Sequence, residues 1–311
     1  MRLYCAVVLA VCLLPLAGCI DPAGTLPPSP QLHGIFIADT GNNRVVYVSN
    51  ITGAGWTAYG GPAGDAFNLP VGICATPTGQ VFVGDFANDR FVRMDDPHGA
   101  GWTTYGTGLQ LDSLYGVFVT SAGEIYGADR ALDRITYMTD MLGVGWATLG
   151  APGSGAKQFL APTDVWVTTT GTVYVAECDN HRIDRFTNLP GGGDNWESFN
   201  GGADGGFRYP NAVCVPGDGY IYITDTNNNR IVRVNEADFS GWTTYGGPQG
   251  DAFDHPIDIA VANGHIYVAD SGKHRLVQMD DMAGTNWTTL GGPTLGHGTG
   301  QFCGPQGLWV Q

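Results

Sequence analysis

The stretch "TDTNNNR", Thr224–Arg230, decides the fold, because the chain writes close copies of it six times. The others are "ADTGNNR", "GDFANDR", "ADRALDR", "AECDNHR" and "ADSGKHR". Each places an acid five residues before an arginine: Asp39 and Arg44, Asp85 and Arg90, Asp129 and Arg134, Glu177 and Arg182, Asp225 and Arg230, Asp270 and Arg275. The arginines follow one another at intervals of 46, 44, 48, 48 and 45 residues. A period of that length marks an array of supersecondary units that bury their faces against one another. A second phrase keeps step with the first, as in "GWTTYGG" at Gly241–Gly247 and "GWTTYGT" at Gly101–Thr107. Its tryptophans are Trp56, Trp102, Trp146, Trp196, Trp242 and Trp287.

Within one unit four short β-branched or aromatic runs are separated by turn residues. For the second unit they are Val71–Thr76, Gln80–Asp85, Arg90–Met94 and Gly101–Tyr105. No window shows a sustained helical period. Four-stranded units repeated six times predict an all-β protein, a six-bladed β-propeller. The repeat begins at its second strand, near Gly34, and ends in "GPQGLWVQ", which matches a first strand. The C-terminal strand is therefore expected to complete the N-terminal blade and close the ring, leaving no open sheet edge between them. The acid and arginine then face each other across a tight hairpin, where a guanidinium fork can hold a carboxylate and nearby carbonyls. Six such pairs read as scaffold. The tryptophans are expected to pack on the neighbouring blade.

These units resemble NHL repeats, whose familiar pattern is followed best by "YPNAVCVPGDGYIYITDTNNNRIVRV", Tyr209–Val234. The resemblance runs from about Gly34 to the end. Blade 3 departs from it with Leu114 for proline and "ADRALDR", and blade 4 with Glu177 for aspartate. Different loops are expected there. The resemblance implies a module that binds a protein or a small ligand on its loop face. It also implies an alternative, since some related six-bladed propellers are divalent-cation-dependent lyases or lactonase-type hydrolases.

Composition agrees with a turn-rich β protein. The chain has 311 residues, 48 glycines and 18 prolines, and a formal charge of −15. Outside the repeat pairs and residues 1–19, only Arg93, Arg130, Arg185, Arg208, Arg233, Lys157 and Lys273 are basic. That is too small a footprint for nucleic acid. Residues 1–19 read as a secretory signal ending in Leu16-Ala17-Gly18-Cys19, which resembles a bacterial lipobox with Cys19 as the lipidated residue. Residues 20–32 form a proline-rich tether and 33–311 the propeller. The chain is thus expected to be a monomer held in the cell envelope by lipid alone, with Ile20 after Cys19 favouring the outer membrane over the inner.

Cys74 and Cys214 hold equivalent inner-strand positions on opposite blades, too far apart for a disulfide. The remaining candidates lie where chain leads into the inner strands. Asp164, Asn211 and Asp258 bring oxygen atoms to this position in three adjacent blades and could chelate Ca²⁺ or another divalent cation. The bland counterpart is an aspartate capping a strand-entry turn. His255, beside Asp254 and Asp258, is the best candidate acid–base group. No nucleophile-elbow, zincin or phosphate-loop pattern is present.

Overall fold

The computed structural model describes residues 34–106, 110–202 and 204–311. The signal segment, Cys19 and the tether lie outside these residues. Each of six sheets has four antiparallel strands. Blade 2 is representative, with strands Pro70–Ala75, Val81–Asp85, Arg90–Met94 and Thr103–Tyr105. The six innermost strands touch one another in a closed cycle, each against the inner strands of the two flanking blades. This is a six-bladed propeller.

Closure follows the expected route. Gly307–Val310 pairs antiparallel with Ile35–Asp39, matching Ile35 to Val310, Phe36 to Trp309 and Ala38 to Gly307. Blade 1 is thus built from both ends of the repeat array. Backbone bonds between Gly34 and Gln311 extend the seam.

The acid and arginine of each repeat are register partners across the second and third strands, as at Asp85 and Arg90. The acids are fully buried in all six blades. One Asp85 oxygen accepts from Arg90 Nε at 2.7 Å and Asn88 Nδ2 at 2.8 Å; the other accepts the Asn68 N–H of the segment leading into the blade. The arginine fork then reaches the incoming loop, as when Arg44 donates to the carbonyls of His297 and Gln301. One buried carboxylate therefore fixes a hairpin and the entrance of its blade together.

Between these strands the chain makes a single 3₁₀ turn in blades 1, 2, 5 and 6, such as Phe86–Asn88. Blades 3 and 4 make plain hydrogen-bonded turns instead. These are the two blades whose sequences depart most from the repeat. The residue before each repeat arginine is left-handed throughout, with φ between 50° and 54°.

The tryptophans pack across blade boundaries as expected. Trp102 lies 6.0 Å from Tyr59 of blade 1, and Trp287 lies 6.1 Å from Tyr245 of blade 5. They are half-buried, though, rather than enclosed. The outermost strand has solvent on one side, so each ring covers the seam while its edge stays wet.

Deleting Gln306–Gln311 removes the inner strand of blade 1 and the Trp309 ring. Unfolding monitored by denaturant titration should show a loss of at least ~3–5 kcal/mol, the usual cost of deleting a large packed aromatic. Wild-type stability in the truncated protein would refute closure by this strand.

Candidate functional site

The inner strands converge on an axial channel, and those of blades 2 to 6 each carry a register irregularity near the start, as between Pro70 and Ile73. At this irregularity the strands approach most closely. A Cβ on Gly72 would meet the backbone of Tyr115 and Val117 in blade 3, and one on Gly116 would meet Thr163 and Asp164 in blade 4. Glycine in blades 1, 2 and 3 is therefore a packing requirement. Blades 4 and 6 carry Asp164 and Asp258 at the same place.

Asp164 Oδ1 accepts the N–H of Val165 at 2.8 Å, and Oδ2 accepts the N–H of Val213 in blade 5 at 2.9 Å. Asp258 repeats the arrangement with Ile259 at 2.7 Å and with Leu308 of blade 1 at 2.6 Å. Each carboxyl fastens its own inner strand to the next one. Asp258 thereby grips the strand that closes the ring.

Asp164, Asn211 and Asp258 do line one cavity, together with Tyr115, Thr163 and Gln306. The Asn211 amide donates to Thr226 Oγ1 at 3.3 Å. Among the described residues no three His, Cys, Asp or Glu side chains are grouped so as to hold a metal ion. His255 stands apart on the rim, with its side chain 58% exposed and Nδ1 2.7 Å from Asp254.

Both channel carboxyls are partly open to the channel yet walled by protein. That desolvation pushes Asp164 up to about 7 against the pull of its N–H donors. Asp258 is raised well above the usual carboxylate range, first by desolvation and then by the charge of Asp164.

Beyond the aspartates the channel is filled. Trp166 of blade 4 and Trp309 of blade 1 meet across the axis, stacked at 5.6 Å and 28°, and Phe118 abuts both at 5.0 and 5.8 Å. The space between this aromatic plug and the carboxyls measures about 50 Å³. At the loop face Tyr115 reaches over blade 2 to donate from Oη to Gln306 Oε1 of blade 1 at 2.9 Å.

The loop face holds a second ring that sequence reasoning passed over. The left-handed residue before each repeat arginine accepts the N–H of the left-handed residue heading the next blade. Asn43 Oδ1 takes Leu69, Asp89 takes Ser113, and Asp133 takes Ala161, each at 2.7 Å. His181 Nδ1 takes Tyr209 at 3.1 Å, Asn229 takes His255 at 2.8 Å, and His274 Nδ1 takes Gly304 at 3.0 Å. His181 and His274 are thus interblade acceptors. The signal was there in the sequence: an Asn, Asp or His precedes every repeat arginine.

Asp184 was also missed. It occupies the position held by Val46, Val92, Val232 and Val277 in other blades, and it is fully buried. Burial, and then its hydrogen bond with Glu177, push it up to about 9, while Arg182 contacts both acids. Cys74, Cys178, Cys214 and Cys303 are free thiols, and burial raises Cys74 to about 12.

Comparison with known proteins places the chain by architecture. The sequence profile of the NHL repeat matches residues 253–279. No curated protein matches the chain. Among solved structures, a chain of a nidogen/laminin complex superposes with a TM-score of 0.70 at 16% identity, over 88% of this chain and 97% of that one. A streptogramin B lyase gives 0.62 at 16%, over 91% and 88%. A protein of unknown function from Bacteroides caccae gives 0.64 at 13%, over 90% and 98%. The chain is a six-bladed β-propeller whose residues 253–279 match the NHL repeat.

The raised channel carboxyls give a pH signature. A carboxyl whose folded pKa exceeds the unfolded value near 4 binds its proton more tightly in the native state, so stability falls as pH rises toward and through the folded pKa. Melting temperature should therefore fall from pH 6 to pH 8.5. The Asp164→Asn, Asp258→Asn double variant should lose much of that slope, although at pH 6 each amide sacrifices one N–H partner and costs ~1–3 kcal/mol. An unchanged slope in the double variant would show that these two groups do not titrate in this range.

Proposed function

We propose that this propeller is a lipid-anchored, extracytoplasmic binding module whose partner docks on the loop face around the channel mouth. One observation carries the reading. Leu69, Leu132, Leu160 and Tyr209, from the consecutive blades 2 to 5, leave 37–39% of their surface exposed on that face. A folded protein leaves such an arc uncovered where a partner covers it. The backbone under three of them is locked, because Leu69, Tyr209 and the residue after Leu160 donate to the interblade acceptors just described. A rigid apolar arc loses little conformational entropy on docking.

The fold is compatible with protein docking and with ligand chemistry alike, given that its structural neighbours include a chain of a nidogen/laminin complex and a streptogramin B lyase. Docking is favoured by the state of the channel. A divalent-cation-dependent lyase or lactonase built on Asp164, Asn211 and Asp258 would need carboxylates at liberty to bind, whereas here both hold backbone N–H groups and the aromatic plug lies below them. Binding on the rim leaves this arrangement intact. The anchor rests on Cys19 and places the module in the cell envelope, at the outer membrane in preference to the inner.

Two experiments test the reading. In cross-linking of envelope extracts, a Leu69→Asp, Leu160→Asp, Tyr209→Asp protein should lose the partner that wild type captures. A Leu142→Asp, Val144→Asp protein, altered at exposed residues on the opposite face, should keep it. Equal capture by both variants would overturn the assignment of the face. For the anchor, Cys19→Ala should move the protein from the membrane fraction to the soluble one. Membrane retention of the Cys19→Ala protein, together with a wild-type protein that carries no acyl mass, would overturn the lipoprotein reading.

A further inference from the structure

We infer that the loop face carries an anion-recognition site centred on Arg130, which takes the carboxylate of a ligand whose apolar part lies on the surrounding rim. The inference rests on the binding-face reading and specifies the chemistry of what docks there. Arg130 falls at the first position of the hairpin turn, where blades 1, 5 and 6 carry the small hydroxyl residues Thr40, Thr226 and Ser271. Those threonines have a local task, donating across the blade boundary to the carbonyls of Pro70 and Pro256 at 2.7 Å. Arg130 replaces such a hydroxyl with a long cation beside the channel mouth.

Among the described residues Arg130 shares the want of a carboxylate partner with Arg208 and Arg233, and Arg233 likewise has a buried Nε without an acceptor and lies over a tyrosine ring. Of these three, Arg130 is the one set against Tyr115, a residue lining the channel cavity. All six repeat arginines are paired with buried carboxylates, and Arg93 and Arg185 also have acidic partners. Among the described residues no carboxylate pairs with Arg130, in a chain that carries a formal charge of −15. Its guanidinium carbon lies 5.8 Å from the Tyr115 ring, and the Cys178 thiol of blade 4 feels its charge. Its Nε is buried with no acceptor. Arg130 as a whole is only half-buried, so a carboxylate that meets its remaining N–H groups does so against protein and is less screened than on open surface.

The setting supplies the apolar half. Phe86 packs against Tyr115 at 5.8 Å on the blade 2 side. Leu132, two residues from Arg130, and Leu160 of blade 4 expose their side chains on the other. A cation held over an aromatic ring and flanked by exposed leucines suits an aryl or alkyl carboxylate, or a peptide ending in an apolar residue, better than it suits a free inorganic anion. Of the acids on this rim, Asp89 and Asp133 each hold an interblade N–H, Asp112 accepts from Ser113 Oγ at 3.1 Å, and the exposed Asp179 beside Cys178 forms no ion pair with the cation.

The test uses 3-phenylpropionate and its uncharged amide as probes on the full propeller, with affinity read by ligand-observed NMR. The acid should bind at least tenfold more tightly than the amide. Arg130→Gln should abolish that preference, Arg130→Lys should restore part of it, and Arg208→Gln should leave it unchanged. Loss of a charge-assisted hydrogen bond is worth roughly tenfold to a hundredfold in affinity. Melting curves of the Arg130 variants confirm folding, and Arg130→Lys retains the charge should the glutamine variant fold poorly. Equal binding of acid and amide, both lost in the Leu69→Asp, Leu160→Asp, Tyr209→Asp protein, would overturn anion recognition while leaving the binding face. Binding of neither probe, or acid selectivity that survives Arg130→Gln, would overturn the site.

Discussion

The buried acid at the end of each second strand is the constraint on which the rest of the molecule depends. A carboxylate removed wholly from water is tolerable only if its lone pairs are taken. At Asp85 one oxygen serves the arginine and asparagine of its own hairpin while the other holds the chain entering the blade, an arrangement that Asp39 and Asp225 repeat. The guanidinium is occupied in turn by the incoming loop. Because hairpin, entrance and loop share one charge pair, none can shift without stranding an ion, and removing a single partner from such a pair costs on the order of 3–5 kcal/mol. The hairpin turn carries the left-handed residue that fastens the next blade, so the same pair also fixes the position of that fastening. Around the ring, electrostatics within each blade become geometry between blades.

The sequence disclosed this scaffold because it is periodic. Six acids, six arginines and six tryptophans at a fixed spacing carry the strand order, the number of blades and the closing role of Gly307–Val310. The departures at "ADRALDR" and Glu177 marked the two blades whose turns differ. Periodicity was a weaker guide where one residue type serves two purposes. Asp164 and Asp258 look like ligands because they interrupt a glycine position, but the same interruption is made by a side chain that reaches the next inner strand. Only the meeting of Asp258 with Leu308 reveals which purpose is served, and that meeting joins distant parts of the chain. Trp166 and Trp309 belong to different repeats, and nothing local announces that they stack across the axis.

The channel and the face above it are therefore set up for different kinds of work. Inside, aromatic rings and carboxyl clasps consolidate the hub, and the raised carboxyls there report the cost of placing two acids in a narrow space. Outside, the backbone is held stiff by side-chain acceptors while the side chains themselves face solvent. Asp184 shows that even this repeat admits an expensive residue: an acid stands where other blades have valine, and it is accommodated by a hydrogen bond with Glu177 and by the charge of Arg182.

Blade 1 has a kinetic side. Its inner strand and its second strand stand at opposite ends of the repeat array, so their pairing is the most non-local in the structure. During synthesis the edge of Ile35–Asp39 emerges first and must wait for its partner until the remaining blades have been made. An unpaired edge of apolar residues invites mispairing for as long as it stays open. The growing ring is thus most vulnerable when it is nearly complete, and its final closure is an intramolecular capture whose rate depends on how well the preceding blades already hold their curvature.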